Sequence, residues 1–522
     1  MTTPAVQEPP RPQRTEPIAP AELASRLAAV QQGPDARCAV TGITLDSRSV
    51  RPGDLWCALP GAHAHGADFA AQAASRGAAA ALTDPAGAER CAAAGLPVLV
   101  VADPRARTAA AASLVYGHPA ERIATIAVTG TNGKTSVTTM AHRALLAMGR
   151  TSGVIGTSGT SFVAADGAEH AIGTVRTTPE SPEVHGILAR MHEAGVDSCA
   201  MEVSSHALVL HRADGVVFDA ACFTNLTQDH LDFHGDMESY FRAKALLFTP
   251  AHARRGVVCV DDAWGRRLAE QASIPVTTYA TRPGTTADVR LVEESLRVEG
   301  FGASFEIERE GERTALRSPL PGRHYVANTI AVVLLLEALG LAGEEVHRAV
   351  AAEGVVPGRM ELVAEHPVRG IVDFSHTPDA LVQALTTLRE LPGTGRLIAV
   401  IGAGGERDRG KRPLMGEAAA RLADVVVVTD DNPRGEDPAV IRAEILAGAR
   451  AVASAQVHEV DGRRDGIALA VRLADVGDTI LVAGKGAETG QQIGGIVHPF
   501  DDRDVLRGAL AAAGMRMEGD RC

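Results

Sequence analysis

Ile126-Ala-Val-Thr-Gly-Thr-Asn-Gly-Lys-Thr135 decides how this chain is read. Residues 122–128, RIATIAV, form an apolar, β-branched run of the kind that makes a buried strand. From Ser136 the chain continues VTTMAHRALLAMG, with apolar residues at helical spacing and Gly149 as a stop. Strand, glycine turn and helix in that order bind phosphate. Small residues let backbone N–H groups approach the anion, and the helix N-terminus adds partial positive charge. Lys134 can reach terminal phosphates, and the Thr135 hydroxyl can sit on Mg²⁺. The usual loop places its first glycine five residues before the second, a position held here by Val128. This loop, Gly130 to Thr135, is shorter, but Gly, Lys and Thr stay in register on a strand-to-helix switch and point to ATP rather than to a turn without a ligand.

Composition narrows the rest. A chain of 522 residues suggests two to four domains. A net charge of −13 argues against a general nucleic-acid or acidic-membrane binder. Aromatic residues make up only 3%, too few for base-stacking platforms. The seven cysteines, at 38, 57, 91, 199, 222, 259 and 522, are odd in number and form no CxxC pair. They fit a reducing cytosol, with neither a disulfide framework nor a zinc site. No apolar run is long enough to span a bilayer. The first twenty residues are Pro-rich, lack the apolar centre of a signal peptide and are expected to be a disordered tail. The expectation is a soluble, cytoplasmic protein with no nucleic-acid partner and no membrane insertion.

β-loop-α alternation runs along the chain and implies α/β architecture with mostly parallel sheets. Three domains are expected after the tail (1–20): a small α/β domain over 21–117, a central ATP-binding domain over 118–357 and a Rossmann-like C-terminal domain over 358–522. In the first, strands are read over Val40–Leu45, Asp54–Leu59, Ala80–Thr83 and Pro97–Val101. Ser47 and Arg48 follow a strand end, where a turn is the simpler reading. In the second, a strand ends in Glu202. A carboxylate on a buried apolar strand needs a partner, and downstream of a phosphate loop Mg²⁺ is the natural one. Asp229, His230, Asp232 and His234 lack the spacing of a helical or CxxC-type zinc site. Lys244 lies on an amphipathic stretch, where a surface lysine is the bland reading. In the third, polar loops follow the strands Gly370–Phe374, Arg396–Ile401, Asp424–Thr429 and Thr479–Val482. Parallel sheets gather functional groups at those C-terminal ends.

Taken in order, the stretches LDSR, TGTNGKT, TTP, MEVSSHAL, FTNLTQDHLDFHG, YFRAKALLF, GRME, VDFSHTPDAL, GAGGERDRGKRPLMG, DNPR and GKGAE resemble the Mur ligases, the ATP-dependent amino-acid-adding enzymes of peptidoglycan synthesis. The likeness runs from about Leu45 to Arg503. It implies three domains, for UDP-sugar, ATP and incoming amino acid. It also implies a reaction in which a substrate carboxylate takes phosphate from ATP and an amine then displaces that phosphate. By resemblance, Thr129, Gly130, Thr131, Asn132, Gly133, Lys134 and Thr135 cradle the ATP phosphates, and Asn328, Arg359, His376 and Asp379 line the adenosine side. Thr135 and Glu202 hold Mg²⁺, with His230 near a second ion. Lys134, Glu202, His230 and Lys244 carry the catalysis. Leu45, Ser47, Thr177, Thr178, Ser204 and Arg212 meet a UDP-N-acetylmuramoyl-L-Ala-D-Glu substrate.

Lys244 matches the family's carbamylated lysine. A free lysine titrates near about 10.4 and would repel Mg²⁺ as a cation; CO₂ converts it into an anion that supports the metal. In the family, DNPR marks the enzymes that add diaminopimelate, whose distal carboxylate needs a cation. Arg434 and Arg407 offer guanidinium groups for it, with Asp431, Asn432 and Pro433 completing the loop. Gly484 and Glu488 hold the amino acid's far end. Two positions depart from the pattern: Ala487 replaces a histidine, and Leu210 stands where relatives often have glutamine. The rivals are a lysine-adding or folylpolyglutamate-type ligase and a non-catalytic ATP-binding regulator. DNPR and the LDSR domain oppose the first pair; the presence of Lys134, Glu202, His230 and Lys244 opposes the last. A monomer acting on small molecules is expected.

Overall fold

The computed structural model describes residues 10–352 and 356–514. Three sheets organise them. The first has five strands in the order Val30–Gln32, Val98–Val100, Ala80–Thr83, Asp54–Ala58, Gly42–Thr44, parallel except for Val30–Gln32. The second has eleven strands with Ala124–Thr129 near its middle, flanked by Ser198–Glu202 and Ala220–Phe223. The third has six, with Thr479–Ala483 between Arg369–Asp373 and Leu397–Ile401. α/β architecture is therefore observed.

Runs that read as buried strands are buried. Val425–Val428 has all four residues buried, and Ile126, Ala127 and Val128 have no exposed surface. A parallel strand covered by helices on both faces cannot alternate polar and apolar residues, so it reads as a continuous apolar run. Two antiparallel extensions of the central sheet fall outside the sequence reading. Ser152–Gly156, Gly159–Val163 and Glu169–Ile172 form one edge; Val289–Glu299, Gly302–Arg309 and Glu312–Ser318 form the other.

The expected disordered tail needs correction. Residues 1–9 lie outside the described residues, but 10–19 are anchored. Arg11 pairs with the buried Asp54 of the first sheet, Nη2 donating to Oδ2 at 2.7 Å. The backbone N–H groups of Gln13 and Arg14 donate to the two oxygens of Glu193 (2.6 and 2.9 Å), which lies on a helix of the central domain. Ile18 exchanges backbone hydrogen bonds with Val40, and Pro20 opens the first helix. Pro-rich composition predicts disorder only where nothing fixes the segment. Here two carboxylates distant in sequence do so.

The six described cysteines are free, and Cys522 lies outside the described residues. Among the described residues, no helix is long and apolar enough to cross a membrane.

Candidate active site

The phosphate loop turns between Thr129, the last residue of its strand, and Lys134, the first of the helix Lys134–Ala147. Gly130 and Gly133 have positive φ, +147° and +87°. A Cβ on Gly130 would collide with Thr224 Oγ1, so side chains are excluded there by space as well as by conformation. Asn225 holds the loop from the next strand's end. Its Oδ1 accepts from Asn132 N–H (2.9 Å), its Nδ2 donates to Asn132 O (3.2 Å), and its carbonyl accepts from Thr131 N–H (2.9 Å). Lys134 curls over the loop, Nζ donating to the carbonyls of Gly130 (3.0 Å) and Thr131 (2.9 Å).

The loop forms one wall of a cavity of about 930 Å³ between the central and C-terminal sheets. That cavity brings together most of the residues singled out from sequence. Thr131 to Thr135, Glu202, His230, Lys244 and Asn328 line it from the central domain, and Arg359, His376 and Asp379 line it beside them. Arg407, Asp431, Asn432, Arg434, Gly484 and Glu488 line its far side, and Thr177 and Ser204 open onto it. Arg359 bridges the walls, Nη2 donating to Thr135 Oγ1 at 2.9 Å while its guanidinium stacks 4.2 Å from the Phe374 ring centroid.

Other expected residues lie off the cavity. Thr129 is buried at the strand end, and Gly130 reaches the site through its carbonyl. Leu45 and Ser47 belong to the first domain, where Ser47 Oγ donates to Gln72 Oε1 (2.7 Å). Thr178 Oγ1 donates to the Glu202 carbonyl (2.8 Å), and Arg212 pairs with Glu180 (3.0 Å). Pro433 turns its carbonyl toward Gly405, where a Cβ would collide with it. Ala487 packs its backbone N–H against Gly358, a glycine with φ +64° that leaves no room for a side chain.

Burial sets the electrostatics. Lys244 is 1% exposed, and its Nζ donates to Gly130 O at 2.7 Å, the same carbonyl that Lys134 uses. Desolvation, reinforced by the Lys134 charge, lowers the Lys244 pKa well below the ordinary lysine range. Burial also lowers Lys134 and brings His230 down to about 4, so the imidazole is neutral at pH 7 with a lone pair available. Asp229 goes the other way: burial would raise it, but His230, His376, Lys411 and Lys134 outweigh that and lower it.

Glu202 ends its strand 1% exposed, accepting from Thr157 N–H (2.8 Å) and Thr157 Oγ1 (3.2 Å). Thr135 and Glu202 supply the hard oxygen donors that suit Mg²⁺. Among the described residues, no group of three or more His, Cys, Asp or Glu is placed to hold a metal. Asn132 Nδ2 and Thr227 Oγ1 are buried beside the loop without a hydrogen-bond partner, as expected of a wall built for a polar ligand.

The far wall is held by local polar contacts. Asn432 Nδ2 donates to Glu488 Oε2 (2.9 Å), and Lys485 Nζ donates to Asn432 Oδ1 and Glu488 Oε2 (both 3.0 Å). Arg434 has φ +54°, is fixed by backbone bonds to Gln492 and Gly494, and donates to Gly405 O at 2.7 Å. Burial and the neighbouring Arg407 lower its pKa. Two guanidinium groups facing one cavity suit an anionic ligand.

Asn225, Lys411 and Lys485 were missed from sequence. Each sits inside a quoted motif, so their presence was visible, but nothing local shows that Lys411 faces the cavity or that Lys485 is buried behind it.

Fold and site together define a nucleotide-dependent α/β enzyme whose phosphate loop faces the C-terminal sheet across one cavity. Family models match in three blocks: the Mur ligase family catalytic domain over residues 39–116, the Mur ligase middle domain over 128–336, and the Mur ligase glutamate ligase domain over 358–486. The chain belongs to the Mur ligase family. It is 50% identical to a UDP-N-acetylmuramoyl-L-alanyl-D-glutamate--2,6-diaminopimelate ligase of Streptomyces coelicolor over 507 residues, 96% of this chain and 98% of that one. It is 44% identical to the ligase of the same name from Corynebacterium glutamicum, covering 90% of this chain and 92% of that one. A solved structure of a protein of that name superposes with a TM-score of 0.64 at 32% identity, covering 92% of this chain and 96% of the other.

Proposed function

We propose that the chain is an ATP-dependent, ADP-forming ligase of peptidoglycan synthesis that joins diaminopimelate to the D-Glu γ-carboxylate of UDP-N-acetylmuramoyl-L-Ala-D-Glu. One observation carries the reading. A phosphate loop and a pair of arginines in a DNPR-type wall share one cavity, and the chain is 50% identical over nearly its full length to a ligase of that name.

The division of labour follows the three sheets: residues 21–117 take the UDP-sugar, 118–357 take ATP and 358–522 take the amino acid. Thr129 to Thr135 cradle the phosphates, and Asn328, Arg359, His376 and Asp379 face the adenosine side. Leu45, Ser47, Thr177, Thr178, Ser204 and Arg212 serve the sugar-nucleotide dipeptide; those off the cavity would meet the distal part of this long substrate. Every residue used lies on one chain, so a monomer suffices. We assign the reaction to the cytoplasm, where ATP and UDP-sugars are available.

In the first step a γ-carboxylate oxygen attacks the ATP γ-phosphorus, the bond to the ADP oxygen breaks, and an acyl phosphate forms. Lys134 and the loop N–H groups stabilise the charge moving onto ADP. In the second step the amine attacks the acyl carbon, phosphate departs with the C–O electron pair, and the amine loses a proton. Arg407 and Arg434 hold the distal carboxylate, Asn432 and Glu488 meet its neighbouring ammonium, and Asp431, Pro433 and Gly484 shape that pocket. When bound, Mg²⁺ neutralises phosphate charge; Thr135 and Glu202 would hold it, with the neutral His230 near a second ion.

Lys244, whose pKa burial and the Lys134 charge lower well below the ordinary lysine range, is suited to add CO₂. The amine nitrogen bonds to carbon, one N–H proton leaves, and an N-carboxylate anion remains beside Lys134. The test is phosphate release with ATP, Mg²⁺ and UDP-N-acetylmuramoyl-L-Ala-D-Glu, comparing meso-diaminopimelate, LL-diaminopimelate and L-lysine. Release only with a diaminopimelate isomer, and only with all substrates present, is expected; meso is the expected isomer. Release with lysine would overturn the assignment to DNPR. No release with any amine would point to a non-catalytic nucleotide binder.

A further inference from the structure

The two loops that form the amino-acid wall come from different strands, yet one buried side chain touches both. Arg463 opens the helix Arg463–Leu473 and has no exposed side-chain surface. Asp502, the first residue of the chain's last described helix, has none either. They form a two-pronged pair, Nε donating to Oδ1 at 2.7 Å and Nη2 to Oδ2 at 2.6 Å. The remaining reach of the guanidinium goes to main-chain oxygens: Nη1 donates to Asp430 O (3.2 Å) and Nη2 to Ala483 O (3.0 Å). Asp430 immediately precedes the stretch Asp431–Arg434. Ala483 ends the strand Thr479–Ala483 and immediately precedes Gly484.

Burying such a pair is not by itself stabilising, because two desolvated charges recover little more than well-packed apolar side chains would give. The geometry shows what else this pair does. Gly484 has φ +122°, and a Cβ there would lie 2.6 Å from Asp431 Oδ2 and 3.7 Å from Arg463 Nη2. The two loops therefore meet edge to edge with the guanidinium as their shared donor. A lysine could offer its protons from one point only; it lacks the planar fork that spans a carboxylate and two carbonyls.

We propose that Arg463, oriented by Asp502, is a positioning residue for amino-acid selection. It fixes the separation between the Asp431–Arg434 loop and the Gly484–Glu488 loop, and so the placing of Arg434 relative to Glu488 around the distal carboxylate and its neighbouring ammonium. This rests on the reading of those loops as the diaminopimelate site. Arg463 touches no substrate; it acts through the carbonyls it holds.

The test uses the full-length enzyme with Arg463→Lys and Asp502→Asn. Wild type is assayed first for diaminopimelate-dependent phosphate release. If wild type shows none, the functional reading fails and so does this proposal. If wild type is active, both variants are expected to raise KM for diaminopimelate at least tenfold. KM for ATP and for the UDP-sugar dipeptide should move less than twofold. The preference for diaminopimelate over lysine should fall. A loss of kcat with all three KM values unchanged, or an equal rise in all three, would mean a general structural role and would overturn the proposal. Should Arg463→Lys fail to fold, Asp502→Asn, which keeps side-chain shape, decides between the same outcomes.

Discussion

Two lysines are almost completely buried in this molecule, Lys244 in the central domain and Lys485 in the C-terminal domain, 1% and 0% exposed. Their surroundings differ. Lys485 sits among anions and acceptors: Glu488 at 3.0 Å, Asn432 Oδ1 at 3.0 Å and Asp431 at 3.9 Å. Lys244 has one main-chain carbonyl, the Tyr240 ring 4.6 Å from its Nζ and, on that same carbonyl, a second lysine. Burial therefore means different things at the two sites. With acidic partners, a buried ammonium becomes a structural link. Beside another cation, burial outweighs the pull of the Asp229 charge and favours the free amine. The contrast supports the proposal that the central wall serves chemistry and the C-terminal wall recognition.

The largest expected difference is in turnover. Lys244→Met removes the amine proposed to carry the carbamate. Its kcat should fall by about 10²–10³-fold, the scale of losing one charge-stabilising group in a closed site, with the KM for diaminopimelate nearly unchanged. A kcat within threefold of wild type would place Lys244 outside the chemistry. Next in size is recognition. Arg434→Ala should raise KM for diaminopimelate by about 30-fold or more, the 2–5 kcal/mol that follows loss of one partner of a buried charge pair, while KM for ATP holds. Equal changes in both would remove Arg434 from selection.

The smallest effect is in stability, and there the two lysines should differ in sign. Lys485→Met removes the charged donor to Glu488 Oε2 and one of the two donors to Asn432 Oδ1, the Gln492 N–H remaining, and should destabilise by about 1–3 kcal/mol. Lys244→Met removes a desolvated amine and should stabilise by about 1 kcal/mol at neutral pH. The pH dependence follows from the lowered pKa of Lys244. Between that lowered value and the ordinary lysine range the unfolded chain binds more protons, so wild-type stability rises with pH across this window. The advantage of Lys244→Met should therefore shrink as pH approaches about 10. Denaturant unfolding at several pH values checks it; a constant advantage would mean that Lys244 is not deprotonated on folding.

Much of this was legible beforehand, for physical reasons. The strand Ala80–Thr83 has the bounds its apolar run suggests, and Glu202 ends a buried strand as its sequence implies. Short parallel strands advertise themselves because both faces are covered. What stayed hidden depends on partners far away in sequence. Nothing in the Pro-rich start says that Asp54 and Glu193 would anchor it. Lys244 reads as a surface lysine until its helix is packed against the phosphate loop. Leu45 and Ser47 belong to motifs yet lie off the cavity, because local pattern says nothing about how one domain faces another. Arg463 gives no signal of its own; its importance comes from the two carbonyls it reaches.

The claim that the central wall activates and the C-terminal wall selects has a direct measurement: positional isotope exchange in ATP carrying ¹⁸O at the β,γ bridge, with Mg²⁺ and UDP-N-acetylmuramoyl-L-Ala-D-Glu but no amine. Reversible acyl-phosphate formation frees the ADP β-phosphate to rotate, so the label scrambles from bridge to non-bridge positions. The account predicts scrambling in wild type, scrambling near the wild-type rate in Arg434→Ala, and scrambling slowed about 10²–10³-fold in Lys244→Met. Scrambling that keeps the wild-type rate in Lys244→Met but disappears in Arg434→Ala would contradict it.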